Sequence, residues 1–178
     1  MADLTITLPD GSTRTLPEGA TGVDLAADIG PGLAKAAIIA NVNGDGRDLD
    51  RPLPDGATVA IVTADSDEGL HTLRHSTAHV LAQAVLQLWP GATYAIGPPI
   101  EHGFYYDFEL PGGGTFSQDD LEAIEARMRL IVDADQAFER FEAGADDALE
   151  LFADHRFKCE IIEQVTSGDA DTELAGEA

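Results

Sequence analysis

The chain has 178 residues, 44% of them hydrophobic, which is enough for one ordinary domain or two small ones with sizeable cores. Its 33 acidic and 10 basic residues give a formal charge of −23, so any RNA contact must be local rather than made by a basic stripe. A single cysteine, Cys159, excludes an intramolecular disulfide framework and favours a reducing compartment. We expect a cytoplasmic protein without a membrane anchor, because no leader pattern and no apolar stretch of about 18 residues occurs.

Residues 1–64 have the pattern of a small β-rich domain. The sequence predicts a hairpin, a short helix and two further strands, over residues 4–8, 13–16, 22–29, 36–42 and 57–62. The helix is predicted to begin at Thr21 or Gly22 and to end at the Gly30-Pro31-Gly32 segment. This order of elements is that of a β-grasp, ubiquitin-like fold.

Residues 65–70 are polar and without periodicity, which predicts a linker before a second unit over residues 71–165. The second unit is predicted to be α+β. It is expected to begin with a helix that carries the two histidines and ends at Trp89-Pro90-Gly91, and to contain strands over residues 92–96, 103–110 and 136–142. An amphipathic helix is expected around Leu121, Ile124, Met128 and Ile131, another helix over 146–152, and a last ordered element at 157–162. Ser117 and Asp120 have the spacing of a capping box. The composition of residues 166–178 predicts a disordered tail.

The helix that opens the second unit carries two histidines, His75 and His79, four residues apart. Residues at i and i+4 share one face of a helix, so both imidazoles can act on one bound group. The spacing alone is compatible with metal ligands, with acid/base groups and with structural core histidines. Ser76 stands where a zincin helix needs glutamate, and no third ligand has a convincing spacing, so we expect no metal site.

The two units together resemble the N-terminal region of bacterial threonyl-tRNA synthetases, in which a TGS domain precedes an editing domain. The resemblance covers about residues 3–165. It is carried by five segments in the family's order and spacing, which read HSTAHVLAQAV, AIGPPI, GFYYDF, DLEAIEARM and FKCEII.

The resemblance implies a hydrolytic function, the removal of serine wrongly attached to threonine tRNA. His75 and His79 match the first histidine pair of the family's editing site, and Lys158 matches its lysine, although Phe157 replaces the family's tyrosine. Tyr106 and the Gly97-Pro98 turn are expected to form walls for the terminal adenosine of the tRNA. The implied partners are the acceptor end of that tRNA and the rest of the synthetase, which in the family is a homodimer through its other domains.

The family's downstream Asp-x-Cys-Arg-Gly-Pro-His segment, its ATP-binding motifs and its zinc ligands have no counterpart in these 178 residues. We therefore expect a fragment that is inactive alone and holds no cofactor. The ATP, magnesium and zinc of the family would belong to the aminoacylation domain. The alternative interpretation is a noncatalytic binding or regulatory protein built from a TGS module and half an editing domain.

Overall fold

The computed structural model describes residues 3–95 and 97–168. The chain divides into two compact units, unit 1 at residues 1–73 and unit 2 at residues 74–178, and each is described by itself. Within the described ranges, no helix is both long and apolar enough to cross a membrane.

Unit 1 is a five-stranded β-grasp domain with two short helices. Its elements are β1 (Asp3–Thr7), β2 (Thr13–Pro17), α1 (Gly22–Ile29), α2 (Pro31–Ala36), β3 (Ala37–Val42), β4 (Asp45–Arg47) and β5 (Val59–Thr63). Strands β1 and β2 form an antiparallel hairpin, and β3 pairs with both β4 and β5. The hairpin β1-β2 and the three strands in the order β4-β3-β5 are linked by an isolated parallel bridge between Thr7 of β1 and Thr58, the residue before β5. The predicted fold class is confirmed.

The core of unit 1 is built from aliphatic side chains. Ile6, Leu25, Val42 and Val59 are completely buried between the sheet and α1. Helix α1 begins with a capping box, in which the Thr21 hydroxyl accepts from the Asp24 N–H and the Asp24 carboxylate accepts from the Thr21 N–H. The first helix is therefore fixed at its predicted start.

Two elements of unit 1 were not predicted. The Gly30-Pro31-Gly32 segment ends α1 but also begins α2, because proline is well suited to the first position of a helix. Strand β4 follows a two-residue turn at Asn43 and Gly44, both with positive φ. This is the turn geometry that favours a tight hairpin, so the signal for β4 was present in the Asn-Gly pair.

Helix α3 (Asp67–Leu88) begins inside the segment predicted to be a linker. The Ser66 hydroxyl accepts from the Gly69 N–H at 3.0 Å, as an N-cap does, and Asp67 and Glu68 place negative charge in the first turn. The absence of periodicity over 65–70 therefore did not mean the absence of helix. The division between the two units falls within α3, after Leu73.

Unit 2 is α+β, with short strands and three further helices. They are β6 (Thr93–Tyr94), β7 (Pro99–Ile100), β8 (Gly103–Phe104), β9 (Phe108–Glu109), α4 (Gln118–Asp133), α5 (Ala145–Leu151) and α6 (Arg156–Ser167). Strand β6 pairs with β9, and β7 pairs with β8. Ala84 and Val85 of α3 pack with Ile124 and Ile131 of α4, and Trp89 packs beside them. The predicted capping box at the start of α4 is confirmed.

Three predictions for unit 2 differ from the structure. The aromatic strand predicted over 103–110 is split into β8 and β9 by an irregular segment. Residues 136–142 are not a strand, and Phe138 and Phe141 on this segment are exposed to 93% and 70%. Helix α6 continues through the first two residues of the predicted tail, where the Thr166 hydroxyl donates to the Ile162 carbonyl. Gly168 is the C-cap of this helix, and residues 169–178 of the predicted tail lie outside the described residues.

Candidate active site

Helix α3 brings His75 and His79 into direct contact. Their Nε2 atoms are 2.8 Å apart, and their ring centroids are 4.6 Å apart with the rings at 67°. His75 is partly buried and His79 is exposed. One imidazole must supply an N–H and the other a lone pair, so the pair can donate and accept a proton at one place.

Four buried side chains hold α3 in place close to the histidine pair. Ala78, Ala82, Ala84 and Val85 are at most 5% exposed, and small side chains here let neighbouring elements approach the helix closely. The two histidines lie beside this buried stripe, because Ala78 and Ala82 follow His75 and His79 by three positions on the helix. This arrangement follows from the helical spacing of the sequence.

A second group of site residues surrounds Tyr94 at the end of β6. The Tyr106 ring lies edge-on to the Tyr94 ring at 5.6 Å and stacks on Phe108 at 5.1 Å. Lys158 Nζ lies over the Tyr94 ring, 5.9 Å from its centroid, within the range of a cation–π contact. Burial raises the pKa of the Tyr94 hydroxyl above its usual value, so this group is neutral near pH 7.

Gly97 lies against the ring of Tyr106. A Cβ at position 97 would lie 2.1 and 2.2 Å from two ring carbons of Tyr106, closer than any real contact. Only glycine leaves room for the aromatic ring here, and Gly97 itself is buried. The neighbouring Pro98 is partly buried and directly precedes β7. The Gly97-Pro98 segment therefore lies beside the Tyr106 ring.

Lys158 is positioned by the first turn of α6, which His155 caps. The His155 Nδ1 atom accepts from the Lys158 N–H at 3.4 Å, and the His155 ring lies edge-on to Tyr94 at 4.3 Å. Burial, and then the positive charge of Lys158, lower the pKa of His155. The imidazole at this position is therefore neutral at physiological pH.

Lys158 also lines an apolar groove between α5 and α6 with a volume of about 390 Å³. The largest side chains in its walls are those of Phe141, Leu151, Phe152, Ile162 and Val165. The lysine stem covers part of this apolar surface, which is common for long cationic side chains.

Over residues 3–95 and 97–168, no three histidine, cysteine or carboxylate side chains lie close enough together to hold a metal ion. The Cys159 thiol donates to the Phe152 carbonyl at 3.1 Å.

The predicted site residues thus form two groups, the histidine pair on α3 and the cluster of Gly97, Tyr106 and Lys158 around Tyr94. Sequence reasoning missed Tyr94, which connects the members of the second group, and gave no such role to His155. Tyr94 lies three residues before Gly97 and His155 three residues before Lys158, so proximity to recognised motif residues was the available signal.

Residues 4–63 match the TGS domain family, and unit 1 is therefore a TGS domain. The chain is 50% identical to a threonine–tRNA ligase of Maricaulis maris over 171 residues, which are 95% of this chain and 26% of the relative. It is 50% identical over 167 residues to that of Citrifermentans bemidjiense and 45% identical over 161 residues to that of Rubrobacter xylanophilus. These matches cover 93% and 90% of the chain, and 26% and 25% of the relatives.

The chain is homologous to the N-terminal region of the threonine–tRNA ligases and spans about a quarter of the length of these relatives. The resemblance identified from the sequence is thereby confirmed.

Proposed function

We propose that unit 2 contributes to a hydrolytic editing site that removes serine from mischarged threonine tRNA. The observation that carries the proposal is the homology to threonine–tRNA ligases over nearly the whole chain. Serine lacks only one methyl group relative to threonine, and an ordinary binding pocket discriminates such a difference by about 1–3 kcal/mol. A ligase for threonine therefore benefits from a second site that hydrolyses the wrong ester.

The hydrogen-bonded histidine pair supports the proposal because ester hydrolysis needs proton transfer at one place. A water molecule attacks the carbonyl carbon of the seryl ester, and an imidazole accepts the proton of that water. A tetrahedral intermediate with a negative oxygen forms, and its collapse breaks the bond to the ribose oxygen, which takes a proton as it leaves. His75 and His79, with Nε2 atoms 2.8 Å apart, can carry out both transfers.

The cluster around Tyr94 supports the remaining roles. The Lys158 ammonium group stabilises the negative charge that develops in the transition state, and Tyr106 with the Gly97-Pro98 turn binds the terminal adenosine. The proposed partners are the acceptor end of threonine tRNA and the rest of the synthetase. Aminoacylation with ATP, and the magnesium, zinc and dimer contacts that accompany it, are assigned to the rest of such a synthetase.

The test is deacylation of seryl-tRNA by a chimera in which residues 3–168 replace the matching segment of the Maricaulis maris ligase. We expect hydrolysis by the chimera and negligible hydrolysis by the 178-residue chain alone, because catalytic groups that act as a unit are not additive. Substituting alanine for His75, His79 or Lys158 should each lower the rate about 10²–10³-fold. His102→Ala is the matched control, since this imidazole is 85% exposed and lies between β7 and β8, outside the proposed site.

Formation of threonyl-tRNA by the same chimeras reports that they are folded. A chimera that forms threonyl-tRNA but does not hydrolyse seryl-tRNA would favour the noncatalytic alternative. Efficient hydrolysis by the 178-residue chain alone, or chimeras indifferent to all three substitutions, would show that the site is misplaced.

A further inference from the structure

His155 joins the backbone of α6 to the side-chain cluster around Tyr94. Its N–H donates to the Phe152 carbonyl at 2.7 Å, and its carbonyl accepts from the Lys158 N–H at 3.0 Å. Its ring takes the position of an N-cap side chain, with Nδ1 as acceptor. The acceptor at an N-cap is usually a side-chain oxygen. Here the acceptor is Nδ1 of an imidazole, and a neutral ring that accepts at Nδ1 carries its proton on Nε2.

The imidazole and the lysine share the Tyr94 ring as a contact surface. The His155 and Tyr94 centroids are 4.3 Å apart, and Lys158 Nζ is 5.9 Å from the Tyr94 centroid. Among the described residues, the titratable groups that face the imidazole are Tyr94 from β6 and Lys158 from α6, while the Cys159 thiol is directed to the Phe152 carbonyl. The His155 Nε2 atom is buried and finds no hydrogen-bond partner among the described residues.

Protonation of this imidazole would have two consequences. It would remove the Nδ1 lone pair that accepts from the Lys158 N–H, and it would add a second positive charge beside the lysine. Only the neutral imidazole is therefore compatible both with the hydrogen bond from the Lys158 N–H and with the Lys158 ammonium group over Tyr94.

We propose that His155 is a positioning residue, whose neutral imidazole caps α6 and holds the Lys158 ammonium group against Tyr94. The use of that ammonium group in editing rests on the proposed function, whereas its placement does not. Placing Lys158 is a role that a partly buried, neutral histidine can fill without touching the substrate.

The chain offers a direct test because it has only two lysines, Lys35 and Lys158. Reductive methylation with ¹³C-formaldehyde gives each side chain one NMR signal, and the ring current of Tyr94 should displace the Lys158 signal from that of exposed Lys35. We expect His155→Ala to return the Lys158 signal to the Lys35 position, as Tyr94→Leu should. His155→Asn should keep most of the displacement, because its amide oxygen can accept from the Lys158 N–H.

The pH dependence of the Lys158 signal gives a second readout, which should not change if His155 has only a structural role. In the unsubstituted protein the Lys158 signal should shift with a midpoint below pH 6.5, and in His155→Asn this titration should disappear. The proposal is overturned if Lys158 coincides with Lys35 in the unsubstituted protein, or if the same titration persists in His155→Asn. A retained displacement in a folded His155→Ala chain would also overturn it.

The two proposals fail separately. An NMR result as expected, with no seryl-tRNA hydrolysis by the chimera, would retain the positioning role and reject editing. Hydrolysis that depends on Lys158, with no effect of His155 on its signal, would retain editing and reject the positioning role.

Discussion

Gly97 packs so closely against the Tyr106 ring that there is no room for a methyl group in place of a Cα hydrogen. Gly97→Ala should destabilise unit 2 by about 1–3 kcal/mol, because the new methyl group overlaps the Tyr106 ring and the ring is held by Tyr94 and Phe108. Urea unfolding followed by tryptophan fluorescence measures the loss.

Two further variants identify the cause of that loss. Gly144→Ala is the control within unit 2, since a Cβ there meets only the Asp147 Oδ2 atom, at an ordinary 3.9 Å. Combining Gly97→Ala with Tyr106→Ala should make the effect of the glycine substitution much smaller. If Gly97→Ala is equally costly in both backgrounds, the ring is not what glycine accommodates.

His155 gives the stability of unit 2 a specific dependence on pH. Burial first and Lys158 second lower its folded-state pKa below the 6.5 of a free histidine, so between the two values the unfolded chain binds more protons. The free energy of unfolding should therefore fall as the pH decreases from 6.5 toward the lower folded value. His155→Asn should lose this part of the profile.

The control for that profile is His102→Ala, which removes an exposed imidazole. Urea unfolding of each variant at several pH values between 7.5 and 5, values chosen to span the free pKa, gives the comparison. A profile unchanged by His155→Asn, or lost equally in His102→Ala, would contradict the assignment.

The segment 136–144, between α4 and α5, exposes its large apolar side chains, unlike the core-facing side of α4. Phe138 is 93% exposed and Phe141 70% exposed, whereas Ile124 on α4 is 4% exposed. Phe138→Ser should change the free energy of unfolding by less than about 0.5 kcal/mol. Ile124→Ala should cost about 2–5 kcal/mol, because it leaves a cavity in the core of unit 2.

Urea unfolding of the two variants in parallel makes this comparison. A large cost for Phe138→Ser would mean that the aromatic side chain is packed in solution, and that the segment is ordered as the sequence predicted.

The same segment shows why the sequence predicted some elements and not others. Alternation over 136–142 fits a strand, but a strand also needs a neighbour for its backbone, and alternation cannot supply one. Helices carry their hydrogen bonds within themselves, so α1 and α4 could be predicted from spacing and capping residues alone. Strand β4 was not predicted because its three residues, Asp45–Arg47, are too few to show an alternating pattern.

The candidate site likewise combines a contact within one helix, which the sequence predicts, with contacts between distant parts of the chain, which it does not. The contact between His75 and His79 lies within one helix, and i, i+4 spacing predicts it. The meeting of Tyr94 with His155 and Lys158 brings together residues about sixty positions apart in the chain, and no local pattern encodes such a contact. The family resemblance supplied Lys158, but it did not supply its neighbours.

At the scale of the whole molecule, unit 1 should fold without unit 2. Its five strands, its buried aliphatic core and its capped first helix are complete within residues 1–73. The isolated polypeptide should give a well-dispersed amide NMR spectrum and a cooperative thermal transition. Ile6→Ala, which opens the core, serves as the matched destabilised variant.

Random-coil amide shifts for the isolated polypeptide would mean that unit 1 depends on the rest of the chain. A transition unaffected by Ile6→Ala would mean that the buried cluster is not what holds it together.

The aliphatic core of unit 1 has an optical consequence. Every tryptophan, tyrosine and phenylalanine in the chain lies at or after Trp89, which packs edge-on to Phe116 at 5.2 Å in unit 2. Intrinsic fluorescence and near-ultraviolet circular dichroism therefore report on unit 2 alone, while far-ultraviolet dichroism reports on both units. Comparing the two signals in a single unmodified sample separates the melting of the TGS domain from the melting of the unit that carries the histidine pair.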